Sequence, residues 1–365
     1  MIIREGRVRI KLDRNVFYNP KMTFCRHLDV LVFKTIAKRE KRDVIFLDAL
    51  AATGVRGIRA RVEAGYNSHF NDRDKRAVEL ITENLKLNGI EGTVYNRDAN
   101  SLMREMRFTH VDLDPFGSPA EFIDSACSSA LKYLSITATD TAALCGSAVE
   151  SGLKKYSAYV EMTEFYPEVG LRVLIGKIVR EATKYDKGLI VLVSWAREHY
   201  YRVHVMFRKS VRFAKDMFEK IGYLFYCPRC LNRKWTSMKG ECFERCECGG
   251  KFIMMGPMWI GELHSKEFVR EMIDSSDELE CENVEAVRSF LKSIYNELEI
   301  PFGFNVHRIS KMLKSSPPPM DSIIEKLREN GFSASRVHYS GVVFKTDASI
   351  RDVEKLAFDS EYRFR

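Results

Sequence analysis

Val44-Ile45-Phe46-Leu47-Asp48-Ala49-Leu50-Ala51-Ala52-Thr53-Gly54-Val55-Arg56-Gly57 reads as a strand, a loop and the start of a helix. The apolar run is short and bounded by small residues, as a parallel strand covered on both faces should be. Gly54 and Gly57 let the backbone turn tightly and let a ligand approach closely. Asp72 follows 24 residues after Asp48, close to the spacing at which an acidic residue after the second strand meets a ribose. Asp74 to Leu87 reads as a helix, with apolar Ala77, Val78, Leu80, Ile81, Leu85 and Leu87, and Asn88-Gly89 stops it. Thr93-Val94-Tyr95-Asn96 reads as a third strand with Asp98 just past its end, and Phe108-Thr109-His110-Val111 as a fourth. Acidic residues therefore recur at four successive strand ends: Asp48, Asp72, Asp98 and Asp114. In an open α/β sheet those ends line the ligand crevice. The loop after the first strand lacks Gly-Lys-Ser/Thr and is not a clean GxGxxG, so it is no phosphate cradle. A ligand with a ribose and a base but no phosphates fits better, and S-adenosylmethionine is the candidate.

The fourth strand leads into Asp112-Leu113-Asp114-Pro115-Phe116-Gly117. The carboxylate of Asp114 can accept a hydrogen bond from an exocyclic amine. Pro115 stiffens the turn so that carbonyls point into the site. Phe116 offers a flat face on which a base can stack. The combination suits an enzyme acting on the amino group of a planar heterocycle.

Later strands are expected at Tyr133–Ala138, Leu189–Trp195 and Tyr201–Phe207, the last two paired antiparallel because only a few residues separate them. Helices at 120–132 and 167–184 would cover the faces. Upstream, Val8-Arg9-Ile10 is strand-like and Leu28–Lys38 helical. The fold expected is α/β, a doubly wound, mostly parallel Rossmann-like sheet, with a zinc module and a C-terminal α+β segment. The boundaries expected are 1–222, 223–256 and 257–365. In the last, helices lie near 266–274, 284–296 and 321–330, and Val337–Phe344 reads as a strand.

With 365 residues and 45% hydrophobic content the chain can bury a large core. It has no 18-residue apolar run and no signal-peptide h-region, which points to a cytoplasmic protein without membrane partners. The net charge of +8 is unevenly spread: residues 201–251 carry +7, 257–300 carry −7 and 301–351 carry +4. A basic patch split across two modules suits an RNA that bridges them. The acidic half of the last segment should pack against the positive remainder, while Arg308, Lys311, Lys314 and Arg336 should hold RNA.

Cys227-Pro228-Arg229-Cys230 is followed by Cys242, Cys246 and Cys248-Gly249-Gly250. A CxxC knuckle with a second pair within about 20 residues reads as a structural zinc site. Cys227, Cys230, Cys246 and Cys248 are the expected ligands, with Cys242 in place of Cys246 as the rival. A closed thiolate set leaves no open position, so the metal would stabilise folding.

The combination of Phe17-Tyr18-Asn19-Pro20, Ala52-Thr53-Gly54-Val55-Arg56-Gly57-Ile58-Arg59, Asn71-Asp72 and Asp114-Pro115-Phe116-Gly117-Ser118-Pro119 resembles the tRNA guanine-26 N2-dimethyltransferases, class I methyltransferases. The resemblance covers most of the chain and extends to the cysteines and to Gly256-Pro257-Met258-Trp259. Cys25-Arg26-His27-Leu28 departs from the family's more usual Asn-Arg-Asp-Leu. The resemblance implies methyl transfer from S-adenosylmethionine to guanine N2 in tRNA, with no obligate protein partner evident. Asp114 and the Pro115 carbonyl would be catalytic, and Phe17 and Phe116 would sandwich a flipped-out base. Asp72 would bond the ribose and Asp98 the adenine amine, with Ala99 contributing backbone. Arg26 would pair with the methionine carboxylate, Asp48 would orient its amine, Gly54 would shape the loop, and Arg56 would be a second cofactor contact. Two alternatives stand beside this reading. One is a methyltransferase of the same fold acting on another tRNA guanine, another RNA or DNA. The other is a non-catalytic zinc-bearing RNA-binding protein, which predicts a damaged cofactor loop that this sequence does not show.

Overall fold

Seven strands form the central sheet of the structure, a computed structural model that describes residues 1–358. They are β1 (Ile45–Asp48), β2 (Asn67–Asn71), β3 (Thr93–Tyr95), β4 (Phe108–Leu113), β5 (Ala130–Ala138), β6 (Lys187–Arg197) and β7 (Tyr200–Lys209). Their order across the sheet is β3-β2-β1-β4-β5-β7-β6. Strands β1 to β5 run parallel, and β7 is antiparallel to both β5 and β6. The order reverses between β1 and β4, so their carboxyl ends, Asp48 and Leu113, open the crevice where such sheets bind ligands.

The strands that are apolar on both sides bury both faces. Helices Val55–Ala64, Lys75–Leu87 and Tyr166–Ala182 follow from their apolar spacing. The helix expected over 120–132 is only Ile123–Ser129, because Ala130 pairs with Phe108 and already belongs to β5. The small residues Ala126-Cys127-Ser128-Ser129-Ala130 carry no period that could mark that boundary. Helices Thr141–Cys145, Val149–Tyr156 and Val306–Leu313 were not anticipated. Val337–Phe344 is not one strand. It spans the turn of a hairpin between Ala334–Val337 and Ser340–Thr346. Strand Val8–Lys11 also gains a partner, Ile2–Glu5.

The cysteine region is built on a three-stranded antiparallel sheet, with Ile221–Tyr226 between Arg233–Ser237 and Ile253–Trp259. It packs on helix Tyr166–Ala182 so closely that a Cβ on Gly176 would stand 3.0 Å from the Trp259 nitrogen. Arg172 of that helix, itself buried, donates to the carbonyls of Trp259 (3.1 Å) and Gly261 (2.9 Å).

The acidic half of the C-terminal segment does pack against positive charge. Glu271 takes both arms of Arg39 at 2.7 Å, Glu278 meets Lys34 and Lys38, and Glu280 meets Arg4 and Arg7. A buried joint lies behind it, where His338 Nδ1 meets Glu297 at 2.7 Å and Lys345 pairs with the other oxygen at 2.7 Å. His264, Glu297 and His338 are close enough together to suggest a metal. The hydrogen bonds argue against one. The Ala196 N–H points at His338 Nε2, which must accept, so Nδ1 carries the proton and offers no lone pair. Lys345 adds a positive charge at the same carboxylate. Among the described residues no helix is long and apolar enough to cross a membrane.

The hairpin at the N-terminus is anchored by one carboxylate. Glu5, 4% exposed, accepts from Arg26 Nε (2.7 Å) and Nη2 (2.6 Å), from Arg59 Nη1 (3.0 Å) and from the Tyr18 hydroxyl (2.8 Å). Burial alone would raise its pKa, but Arg26 and Arg59 outweigh that and hold it at about 2, against 4.5 ordinarily. A carboxyl depressed in the folded state stabilises the fold above its unfolded pKa, and that stability is lost as the pH falls through the folded value. The Glu5 contribution, about 3 kcal/mol, should therefore be complete above about pH 4.5 and vanish toward about pH 2. Urea unfolding measured from pH 6 to pH 2.5 should show a wild-type stability that falls more steeply than that of Glu5→Gln, with the two curves converging in acid.

Candidate active site

Beneath the carboxyl ends of β1 and β4 lies a buried group of charges. Asp29, from helix Thr23–Arg39, faces Arg202 on β7 at 2.9 Å and is also paired with Arg56. Arg202 donates to Asp112 on β4 with both Nη atoms and to the Thr137 hydroxyl oxygen at 2.9 Å. Asp29, Asp112 and Arg202 have no solvent exposure at all. His204, two residues from Arg202 and so on the same face of β7, meets Asp29 at 3.1 Å and Ser135 at 2.7 Å. Burial and the Arg202 charge keep this histidine neutral, well below its ordinary pKa.

Asp114 is the exposed end of this group, with 28% of its side chain open. Arg56 Nη2 holds its Oδ2 at 2.5 Å. Burial pushes the Asp114 carboxyl up, and the Arg56 and Arg202 guanidinium groups together hold it below the usual carboxylate range. It is therefore an anion at neutral pH. Asp48 is shifted in the other direction. Burial and the neighbouring Asp112 push its carboxyl well above the usual range, against the single N–H of Gly57 at 3.0 Å.

A cavity of about 340 Å³ opens above these groups. Asp48, Arg56, Asp114 and Pro115 line its floor, Leu50 to Thr53 with Val55 and Arg26 line its sides, and Phe17 and Phe116 stand at its mouth. Phe17 is 59% exposed and Phe116 89%. Their rings touch edge to face, centroids 5.9 Å apart, so no base fits between them as they stand and a sandwich requires them to part.

Gly54, Asp72, Asp98 and Ala99 do not line that cavity. Gly54, at φ +78°, opens helix Val55–Ala64 in a conformation that a side chain would strain. Gly57 is close-packed for a different reason from the one expected: a Cβ there would meet the Phe70 ring at 2.4 Å, so it serves helix-to-strand packing. Asp72 ties the two neighbouring loops together, accepting from Ala52 N and Asp74 N at 2.9 Å each. Ala52 is held at φ +48° by that bond. Asp98 caps helix Ala99–Glu105 through Oδ1, which accepts from Ser101 N at 2.9 Å.

Arg56, expected as a second cofactor contact, lines the cavity and is also paired with three carboxylates: Asp29, Asp112 at 3.5 Å and Asp114. Arg26 is likewise committed to Glu5, and its Nη1 makes only a 3.3 Å bond to the Asn19 carbonyl. Sequence reasoning missed Glu5, Asp29 and Arg202. A signal existed for the last, since an arginine and a histidine at alternate positions of an otherwise apolar strand need a buried anion.

The four cysteines Cys227, Cys230, Cys246 and Cys248 bring their sulfurs within 4.8 Å of one another, with Cys227–Cys248 at 3.6 Å and Cys230–Cys246 at 3.5 Å. Cys242 is exposed and stands outside the group. A Cβ on Gly250 would meet the sulfurs of Cys227 at 3.0 Å and Cys248 at 3.2 Å, so glycine is needed to let the second loop close over the knuckle.

The family model for N2,N2-dimethylguanosine tRNA methyltransferase matches residues 1–357. A tRNA (guanine(26)-N(2))-dimethyltransferase of Archaeoglobus fulgidus is 51% identical over 353 residues, covering 97% of each chain. One of Methanospirillum hungatei is 39% identical over 339 residues, covering 93% of this chain and 90% of the other. Among solved structures, the complex of Trm1 from Pyrococcus horikoshii with S-adenosyl-L-methionine superposes with a TM-score of 0.89 at 32% identity, over 98% of this chain and 99% of that one. Matched along its length, through the cysteine region and the C-terminal segment, this chain belongs to the N2,N2-dimethylguanosine tRNA methyltransferase family.

Proposed function

We propose that this chain transfers methyl groups from S-adenosylmethionine to the exocyclic N2 of guanine 26 in tRNA, giving N2-methyl- and N2,N2-dimethylguanosine. The observation that carries the reading is the Asp114 carboxylate. It is held ionised by Arg56 at the floor of a cavity whose mouth bears two exposed aromatic rings. Guanine N2 is a poor nucleophile because its lone pair is delocalised into the ring, so the protein's task is alignment and charge stabilisation. Asp114 accepts an N2–H, turns the remaining lone pair toward the methyl donor and stabilises the positive charge that grows on nitrogen. The Pro115 carbonyl shares that bond, and Phe17 and Phe116 part to hold the base. The whole-length family match weighs against the other RNA or DNA amines.

The bound cofactor supplies an electrophilic methyl group on a sulfonium. The residues present fit it. Asp72 and Asp98 each keep carboxylate lone pairs beyond the backbone bonds they accept, for a ribose and an adenine amine, with Ala99 beside them. Arg26 Nη1 serves the carboxylate, Asp48 the amine, Gly54 shapes the loop, and Arg56 is a second cofactor contact from the cavity lining. The four cysteines fit zinc: a tetrahedron with bonds of about 2.3 Å has sulfur–sulfur edges of about 3.8 Å. The segments 1–222, 223–256 and 257–365 are then methyltransferase, zinc and tRNA-holding modules, with the zinc module widened to the sheet that carries it, which runs from Ile221 to Trp259 across both boundaries.

Asp114→Ala should lower single-turnover methylation by about 10²–10³-fold while cofactor affinity, measured by calorimetry, stays within a few-fold. Near-normal turnover would remove Asp114 from its role. Cys246→Ser should lose zinc, read by metal analysis of protein purified under reducing conditions, and should melt earlier. Cys242→Ser should keep about one zinc per chain.

The exposed Arg308, Lys311 and Lys314 of the helix Val306–Leu313 and its end are the proposed tRNA-holding charges. Arg336 belongs to the same expected set, but its exposed pairing with Asp321 at 2.7 Å offsets part of its charge, so the test uses the other three. Each phosphate neutralised contributes about −0.7 to −0.9 to the slope of log K against log salt. Changing all three to Glu should flatten that slope by about 2–3 and leave cofactor affinity unchanged. Coincident slopes for the two proteins would mean that the RNA runs elsewhere.

A further inference from the structure

Beyond the active-site cavity, on the far side of the β6–β7 turn, lies a second cavity of about 270 Å³. The two share one wall, Glu198, His199 and Tyr200. The second contains Thr141 and Ser147, and the side chains of Met162 and Tyr166 stand at it, 52% and 43% exposed. Met162 also lines a third cavity, which Arg308 of the basic helix helps to close. The three cavities thus adjoin one another through shared lining residues, from Asp114 past the turn to Arg308, one of the positive charges that the proposed function assigns to tRNA.

We propose that the second cavity is a further nucleotide subsite, which takes the base adjoining the target guanine in the RNA chain, with Tyr166 as its stacking face. This rests on the methyl-transfer reading above and extends it. Three features support it. A base flipped out of a helix strips its neighbour of stacking on one side, and an exposed aromatic ring one turn away replaces that contact. A tyrosine and a thioether exposed together are costly in water and suit a base of any identity. The hydroxyls of Thr141 and Ser147 add polar partners for a base edge, beside Arg197 and Glu198 of the same lining.

The test is single-turnover methylation by wild type, Tyr166→Ala and Tyr166→Phe. The substrates are intact tRNA and two tRNAs abasic at the nucleotide 5′ or 3′ to the target. Base–aromatic stacking is worth about 1–3 kcal/mol by alanine substitution, so Tyr166→Ala should lower kcat/KM on intact tRNA by about 5- to 150-fold. Tyr166→Phe should stay near wild type, and cofactor affinity should not change in either. One abasic tRNA should be a comparably poor substrate for wild type and should lose nothing further with Tyr166→Ala, because the partner base is already gone. Wild-type rates from Tyr166→Ala on intact tRNA, or losses that multiply on both abasic substrates, would overturn the subsite and leave the methyl-transfer reading intact. No methylation of intact tRNA by wild type would overturn that reading, and the subsite with it.

Discussion

Two arginines sharing three aspartates hold the active end of this protein in place. Arg56 comes from the helix after β1, Arg202 from β7, Asp29 from the helix Thr23–Arg39, and Asp112 and Asp114 from β4 and its end. Taking such charges out of water costs several kcal/mol per ion, and an apolar replacement of similar volume is often as stable. Net stability is therefore a poor account of the cluster. What it supplies is position. Four separate segments can satisfy the charges only in one mutual arrangement, because removing any member strands a buried ion. Asp114 is the member left partly open, and its orientation is inherited from the rest.

The same logic runs outward. Glu5 holds Arg26 and Arg59 and so fixes the N-terminal hairpin against the helix that carries Asp29. Glu271, Glu278 and Glu280 bind the acidic half of the C-terminal segment to that helix and to the hairpin. Apart from the buried Lys34, these outer pairs lie at the surface and are individually weak. Together they decide which way the segment turns. Its acidic side faces protein, and the side of the helix Val306–Leu313 that bears Arg308 and Lys311 is left to solvent.

Much of this was legible in the sequence where period and punctuation are strong. The first four strands, the acids at their ends, the antiparallel last pair and the cysteine set all stand close to where the residues indicate. Legibility failed where local signals run out. Small residues from Ala126 to Ala130 hide the join of a helix to β5. The turn at His338-Tyr339 carries neither glycine nor proline, so a hairpin looked like one strand. In the site, motif residues were recognised but not their partners. Arg56 was expected to face a ligand, and only tertiary structure brings Asp29 and Asp114 to it. Spacing along the chain can show that a buried anion is needed, as at Arg202 and His204, but not which distant segment supplies it.

The electrostatics of Asp114 also bear on what kind of chemistry it can do. A carboxylate held below its ordinary pKa is a weak base, so it is poorly suited to removing a proton from N2 before the methyl arrives. Removal is not needed first. In the proposed reaction N2 becomes acidic only once it carries the new methyl and the positive charge, and then water suffices as the acceptor. What helps earlier is a fixed anion that accepts an N–H and faces the growing charge, without reorganising as the charge appears. Arg56 provides for that by keeping Asp114 ionised and immobile, at the cost of part of its negative potential. A second methylation asks the same of the site, since N2 of the monomethylated base still has one hydrogen to offer Asp114 and one lone pair to turn toward the donor.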